Sequence, residues 1–185
     1  MENSSNANQN AASGQEEKKA VGRIFLITGP GKAKSAACAG LTARFIGRGY
    51  TALYCQYFKD GTSGECFSLR ALGAEVRSAS AGGKFLWQMD EADREETGRR
   101  IGRMNSTVIR DAEDFMVIGL DEALDAVSEG LMRDEDIMSM VSANPSADFI
   151  ISGEKASEAL REAADYCIRV ETEKRPQSPV PFSDD

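Results

Sequence analysis

The sequence predicts an α/β domain, with a mostly parallel sheet and helices on both faces. Three observations predict it. Apolar runs of strand length alternate along the chain with segments of helical periodicity. The first apolar run, Ile24-Phe25-Leu26-Ile27, passes through Gly29-Pro30-Gly31-Lys32-Ala33-Lys34-Ser35-Ala36 into a small-residue helical segment. A later, strongly apolar run ends in the acidic pair Asp121-Glu122. A strand, a Gly/Lys-rich turn and a helix form the layout of a phosphate-binding loop, which narrows the fold class to P-loop NTPase-like.

The elements follow in order. Residues 1–20 are rich in Asn, Ser, Ala, Gln and Glu and read as a disordered tail. Residues 23–28 read as the first strand, and 34–47 as a helix that stops at Gly47 or Gly49. A second strand covers 51–58. A weaker one, flanked by glycine and serine, covers 74–78. The charged segment 90–112 reads as a helix whose buried stripe is Ile101, Met104, Val108 and Ile109. Residues 115–120 form an apolar strand, 134–143 a helix and 148–152 a strand. Residues 155–164 form a helix with Ala159, Leu160 and Ala163 on one face, and 166–170 the last strand. Pro176, Pro179 and Pro181 mark 174–185 as a second disordered tail, leaving 21–173 as the folded domain. Ligands of such sheets bind at the carboxyl ends of the strands, where 29–35, 56–61 and Asp121-Glu122 fall.

Composition bounds the chemistry. The chain has 185 residues and a net charge of −8, which argues for one domain and against a nucleic-acid partner. Its apolar runs are strand-sized, so no membrane span is expected, and the N-terminus lacks a signal-peptide core. Cys38, Cys55, Cys66 and Cys167 form no C-x-x-C pair, which fits a reduced, cytoplasmic protein. There is no histidine. Ser-His-Asp triads, Cys-His pairs and histidine metal sites are thereby excluded. Chemistry must come from carboxylates, lysines, backbone amides, a bound metal or the substrate.

The loop departs from the usual G-x-x-x-x-G-K-[ST]. From Gly29 to Lys34 it is one residue short, and Ala33 stands where the last glycine belongs. An alanine held at positive φ costs on the order of 1 kcal/mol. In the functional reading Lys34 reaches a triphosphate and the Ser35 hydroxyl holds its magnesium. The alternative is a lysine-flanked turn without a ligand. Asp121-Glu122 would complete a magnesium site, since magnesium takes few protein oxygens. Acidic residues after a strand also occur simply as a solvated helix N-terminus. Trp87, the only tryptophan, lies in Gly83-Lys84-Phe85-Leu86-Trp87. Phe85 and Trp87 by themselves read as packing residues or a loop anchor. Arg99, Arg100 and Arg103 read as a solvated helix face paired with Glu95 and Glu96.

Taken together, these segments resemble the P-loop family of ATP:corrinoid adenosyltransferases. The family's loop, G-N-G-K-G-K-T-T, has the same short spacing as residues 29–36. Its Q-F-x-K-G is matched by Gln56-Tyr57-Phe58-Lys59-Asp60-Gly61, and its G-E-x-x-x-L by Gly64-Glu65 to Leu69. G-F-T-W corresponds to Phe85-Leu86-Trp87, and L-D-E to Leu120-Asp121-Glu122. I-I-T-G-R corresponds to Ile150-Ile151-Ser152-Gly153-Glu154, and a late alanine-aspartate to Ala164-Asp165.

The resemblance implies that the adenosyl group of ATP is transferred to a corrinoid. Cobalt(I) attacks the ribose 5′ carbon and triphosphate leaves. No general base is needed, because the nucleophile carries its own electron pair. The implied nucleotide-binding residues are Gly29, Gly31, Lys32, Ala33, Lys34, Ser35 and Ala36. Lys34 and Glu122 are the implied catalytic residues, and Ser35, Asp121 and Glu122 the implied magnesium ligands. Phe85 and Trp87 would press on the lower face of the corrinoid, where loss of an axial ligand eases reduction of cobalt(II). A homodimer and a flavoprotein reductant are the implied partners. The departures are Pro30 for asparagine, Ala33 for glycine, Ser35-Ala36 for Thr-Thr, Gln88 for glutamate and Glu154 for arginine. They leave open a non-catalytic corrinoid or nucleotide binder that kept the fold.

Overall fold

The computed structural model describes residues 21–80 and 88–174. Both expected tails, and the Phe85 and Trp87 segment, lie outside the described residues, apart from Lys174. The strands are β1 Ile24–Thr28, β2 Ala52–Gln56, β3 Glu75–Ser78, β4 Val117–Asp121, β5 Asp148–Ser152 and β6 Tyr166–Arg169. The helices are α1 Lys34–Ile46, α2 Gly64–Ala71, α3 Glu91–Asp111, α4 Ala123–Ser128, α5 Asp134–Ala143 and α6 Glu158–Ala163.

The strands form one six-stranded sheet in the order β3-β2-β4-β5-β1-β6. Every pairing is parallel. The fold is α/β and P-loop NTPase-like. β2, β4 and β5 are buried along their whole length, which is why they read as continuous apolar runs. Alternate residues of β1, β2, β4 and β5 serve two separate cores. Phe25, Ile27, Ala52, Tyr54, Val117 and Ile150 pack with Cys38 and Ala39 of α1 and Cys66 and Leu69 of α2. Leu26, Leu53, Ile118, Leu120, Phe149 and Ile151 pack with α3, α4, α5 and α6 on the opposite face. Burying one such side chain contributes about 1.5–3 kcal/mol, so the two layers set the register firmly.

Three details differ from the sequence reading. Ile109 is 41% exposed, whereas Ile101, Met104, Asn105 and Val108 form the buried face of α3. Their spacing i, i+3, i+4, i+7 is a narrow helical stripe, and Ile109 sits at its edge. Asn105 belongs to the stripe because its Oδ1 accepts the Tyr57 hydroxyl at 2.8 Å. In α6, Leu160 is buried while Ala159 and Ala163 are exposed. The helices α2 and α4, eight and six residues long, had no counterpart in the sequence reading. They are too short to show a full helical period.

Because all strands run the same way, their carboxyl ends share one edge. Thr28, Gln56, Ser78, Asp121, Ser152 and Arg169 line it. The register sets Gln56 beside Asp121, and Ile27 beside Ser152.

Candidate active site

The loop after β1 turns sharply. Gly29 has φ 114° and Ala33 has φ 82°. Ala33 therefore holds the left-handed conformation for which glycine is the usual residue. Gly29 and Gly31 are required for a second reason. A Cβ would stand 2.3 Å from the Val170 carbonyl oxygen at Gly29 and 2.7 Å from it at Gly31. The chain leaving β6 lies directly against the loop.

That contact also uses loop amides. The N–H of Gly29 donates to the Glu154 carbonyl at 3.0 Å, and that of Gly31 to the Val170 carbonyl at 3.0 Å. The N–H of Lys32 donates to Thr172 Oγ1 at 3.1 Å. Pro30 has no N–H to offer. That leaves the amides after the left-handed turn, at the N-terminus of the 13-residue helix α1, as the ones placed to meet an anion. Its first-turn N–H groups lack intrahelical partners and carry the positive end of the helix dipole. Lys34 Nζ donates to the Gly31 carbonyl at 3.1 Å, which draws its ammonium back over the loop.

Facing Ser35 is a cluster of buried polar groups. Asp121 is fully buried at the end of β4, and its Oδ1 accepts the Ser152 hydroxyl at 2.7 Å. Gln56, also fully buried, donates from Nε2 to Ser63 Oγ at 3.0 Å and to Glu65 Oε1 at 3.1 Å, with Asp121 Oδ2 at 3.5 Å. Lys59 Nζ donates to Ser35 Oγ at 3.1 Å. The same ammonium lies 3.6 Å from Glu65 Oε1 and 3.9 Å from Asp121 Oδ2.

Glu122 follows with φ 65°. Its N–H donates to Ser152 Oγ at 3.0 Å, so one hydroxyl braces both acids. Its Oε2 is buried without a hydrogen-bond partner among the described residues. Burial pushes the carboxyl up to about 7; the Asp121 charge adds to this, and Lys59 opposes it. Asp125 is also raised, by burial first, against the hydrogen bond it accepts from the Glu154 N–H at 2.7 Å.

These donors suit a divalent cation shared with a polyphosphate. Ser35, Asp121 and Glu122 offer hard oxygens, and the buried Glu122 Oε2 awaits a partner. No group of three or more acidic, cysteine or histidine side chains forms a self-sufficient metal cage among the described residues. Magnesium needs no such cage when phosphate oxygens and water complete its shell.

Of the residues singled out from the sequence, the structure gathers Lys34, Ser35, Asp121 and Glu122 at one edge of the sheet. Gly29, Gly31, Lys32, Ala33 and Ala36 form or flank the loop beside them. Phe85 and Trp87 lie outside the described residues. Gln56, Lys59, Glu65 and Ser152 were not singled out as site residues, although the first three sit inside the Q-F-x-K-G and G-E-x-x-x-L matches. Arg99, Arg100 and Arg103 pair with Glu95 and Glu96 at 2.6–3.1 Å, as a solvated helix face does.

The family model described as ATP:corrinoid adenosyltransferase BtuR/CobO/CobP matches residues 20–180. A corrinoid adenosyltransferase of Pseudomonas aeruginosa is 26% identical over 147 residues, covering 78% of this chain and 72% of that protein.

Proposed function

The chain belongs to the ATP:corrinoid adenosyltransferase family, and from that premise we propose that it transfers the adenosyl group of ATP to the cobalt(I) of a corrinoid. One observation carries the reading. The loop residue Ser35, with Lys34 beside it, meets the buried acid Asp121 across a single point, the Lys59 ammonium, at 3.1 and 3.9 Å. Glu122, with its unpartnered oxygen, follows Asp121 in the chain.

In this reaction the cobalt(I) electron pair forms a bond to the ribose 5′ carbon. The bond from that carbon to the triphosphate oxygen breaks, and its electrons leave with triphosphate. The protein's tasks are alignment and neutralisation of the leaving group. The α1 N-terminus, Lys32 and Lys34 bring positive charge to the triphosphate. Ser35, Asp121 and Glu122 would hold magnesium, whose charge stabilises the departing oxygens. Ser152 and Gln56 hold the Asp121 carboxylate, and Ser152 also holds the Glu122 backbone. No residue has to move a proton, which accords with a chain that has no histidine. Phe85 and Trp87 are proposed to cover the lower corrinoid face in a cytoplasmic homodimer, with a flavoprotein as the reductant that brings the corrinoid cobalt to cobalt(I).

A second reading, a binder without turnover, is favoured by the loop amides of Gly29, Gly31 and Lys32 being bonded within the protein. An anaerobic assay separates the two. Magnesium-ATP and chemically generated cobalt(I) corrinoid should yield a light-sensitive adenosyl-corrinoid, and Lys34→Ala should abolish it. Retained corrinoid binding without product would select the second reading.

A further inference from the structure

Lys59 places its ammonium where the reading above requires a divalent cation. It donates to Ser35 Oγ at 3.1 Å and lies within 4 Å of Glu65 and Asp121 carboxylate oxygens. It also counts among the groups that hold the Glu122 carboxyl down against burial. A magnesium ion would need the Ser35 and Asp121 oxygens at about 2.1 Å. Two cations at those oxygens repel each other in a poorly screened site.

The backbone around Lys59 is held by its neighbours. Its carbonyl accepts the Ser78 hydroxyl, and the Gly61 carbonyl accepts from Arg70 Nη1 at 2.7 Å. The Lys59 side chain remains 25% exposed. Withdrawal of the ammonium calls for a change of side-chain rotamer rather than a movement of this held backbone.

We propose that Lys59 is the resident counter-ion of the cation site. Before nucleotide binds, it neutralises Glu65 and Asp121 and excludes a free divalent cation. When magnesium arrives with ATP, Lys59 yields the Ser35 and Asp121 oxygens and turns its charge to the triphosphate. The site then opens to metal only together with nucleotide. This inference rests on the magnesium-ATP reading above.

The test uses manganese(II) as the probe, followed by electron paramagnetic resonance on the full chain. Manganese-ATP is measured first on the wild type; its failure to bind would refute the magnesium-ATP reading itself. Manganese(II) without nucleotide is measured second. Lys59→Met should bind it at least tenfold more tightly than the wild type. Lys59→Arg, which keeps the charge, should not. Lys34→Met removes an equal charge whose ammonium bonds the Gly31 carbonyl instead, and should change the affinity less than threefold. Lys59→Gln keeps a donor for Ser35 and replaces the methionine variant if that one does not fold, with the same expectation. Unchanged affinity in the Lys59 variants, or an equal rise in Lys34→Met, would overturn the proposal while leaving the magnesium-ATP reading intact.

Discussion

Replacing Glu122 by glutamine should make the nucleotide-free protein more stable, and increasingly so as pH rises. The carboxyl sits at about 7 in the folded chain against an ordinary value of 4.5. Between those values the folded state holds a proton that the unfolded state has released. Stability therefore falls as pH rises through this window and levels off above it. At 1.36 kcal/mol per pH unit, the full penalty above pH 7 is about 3 kcal/mol, of which roughly 2.5 kcal/mol accrues between pH 5 and 8. Glutamine has nearly the same shape and does not titrate. Any fixed cost of burying its amide is the same at both pH values, so the pH-dependent difference isolates the carboxylate. Urea denaturation of both proteins in chelator, at pH 5 and pH 8, reads it out. The stability gap should shift in favour of Glu122→Gln by about 2–3 kcal/mol on going to pH 8. Saturating magnesium-ATP should reverse the preference, because a cation partners the carboxylate and not the amide. A pH-independent gap would refute the claim that this carboxylate is stored at a cost for the site.

Other substitutions probe the loop and the neighbouring acids. Ala33→Gly relieves a residue at φ 82°; it should leave stability unchanged or raise it by up to about 1 kcal/mol in urea denaturation, and tighten ATP binding by calorimetry. Gly31→Ala forces a Cβ to 2.7 Å from the Val170 carbonyl oxygen; a loss of about 2–3 kcal/mol is expected, and a loss under 0.5 kcal/mol would mean the chain after β6 is not held against the loop. Ser152→Ala removes the hydroxyl that bonds both Asp121 and the Glu122 N–H; it should cost about 1–3 kcal/mol and weaken manganese-ATP binding, which can be followed by electron paramagnetic resonance. Trp87→Ala should spare ATP binding but slow the reaction started from cobalt(II) more than that started from cobalt(I), and equal slowing would make Trp87 merely structural.

The sequence by itself determined the alternation of strands and helices, the strand-loop-helix at 24–46 and the acidic end of β4. α5 and β5 were legible to their last residues, Asp134–Ala143 and Asp148–Ser152. These features are local: burial dictates residue type at fixed periods, and a left-handed turn or a phosphate loop restricts a few neighbouring positions. The strained Ala33 was legible for that reason. The convergence of Lys59 with Ser35, Glu65 and Asp121 was not. Lys59 and Ser35 are 24 residues apart, and Gln56 and Asp121 are 65 apart. They meet because β2 pairs with β4 in a register that sets Gln56 against Asp121. The capture of the Lys32 amide by Thr172, 140 residues away, likewise depends on β6 docking beside β1. Strand order and register are set by how whole apolar faces pack, so only the tertiary structure decided which polar groups share the site.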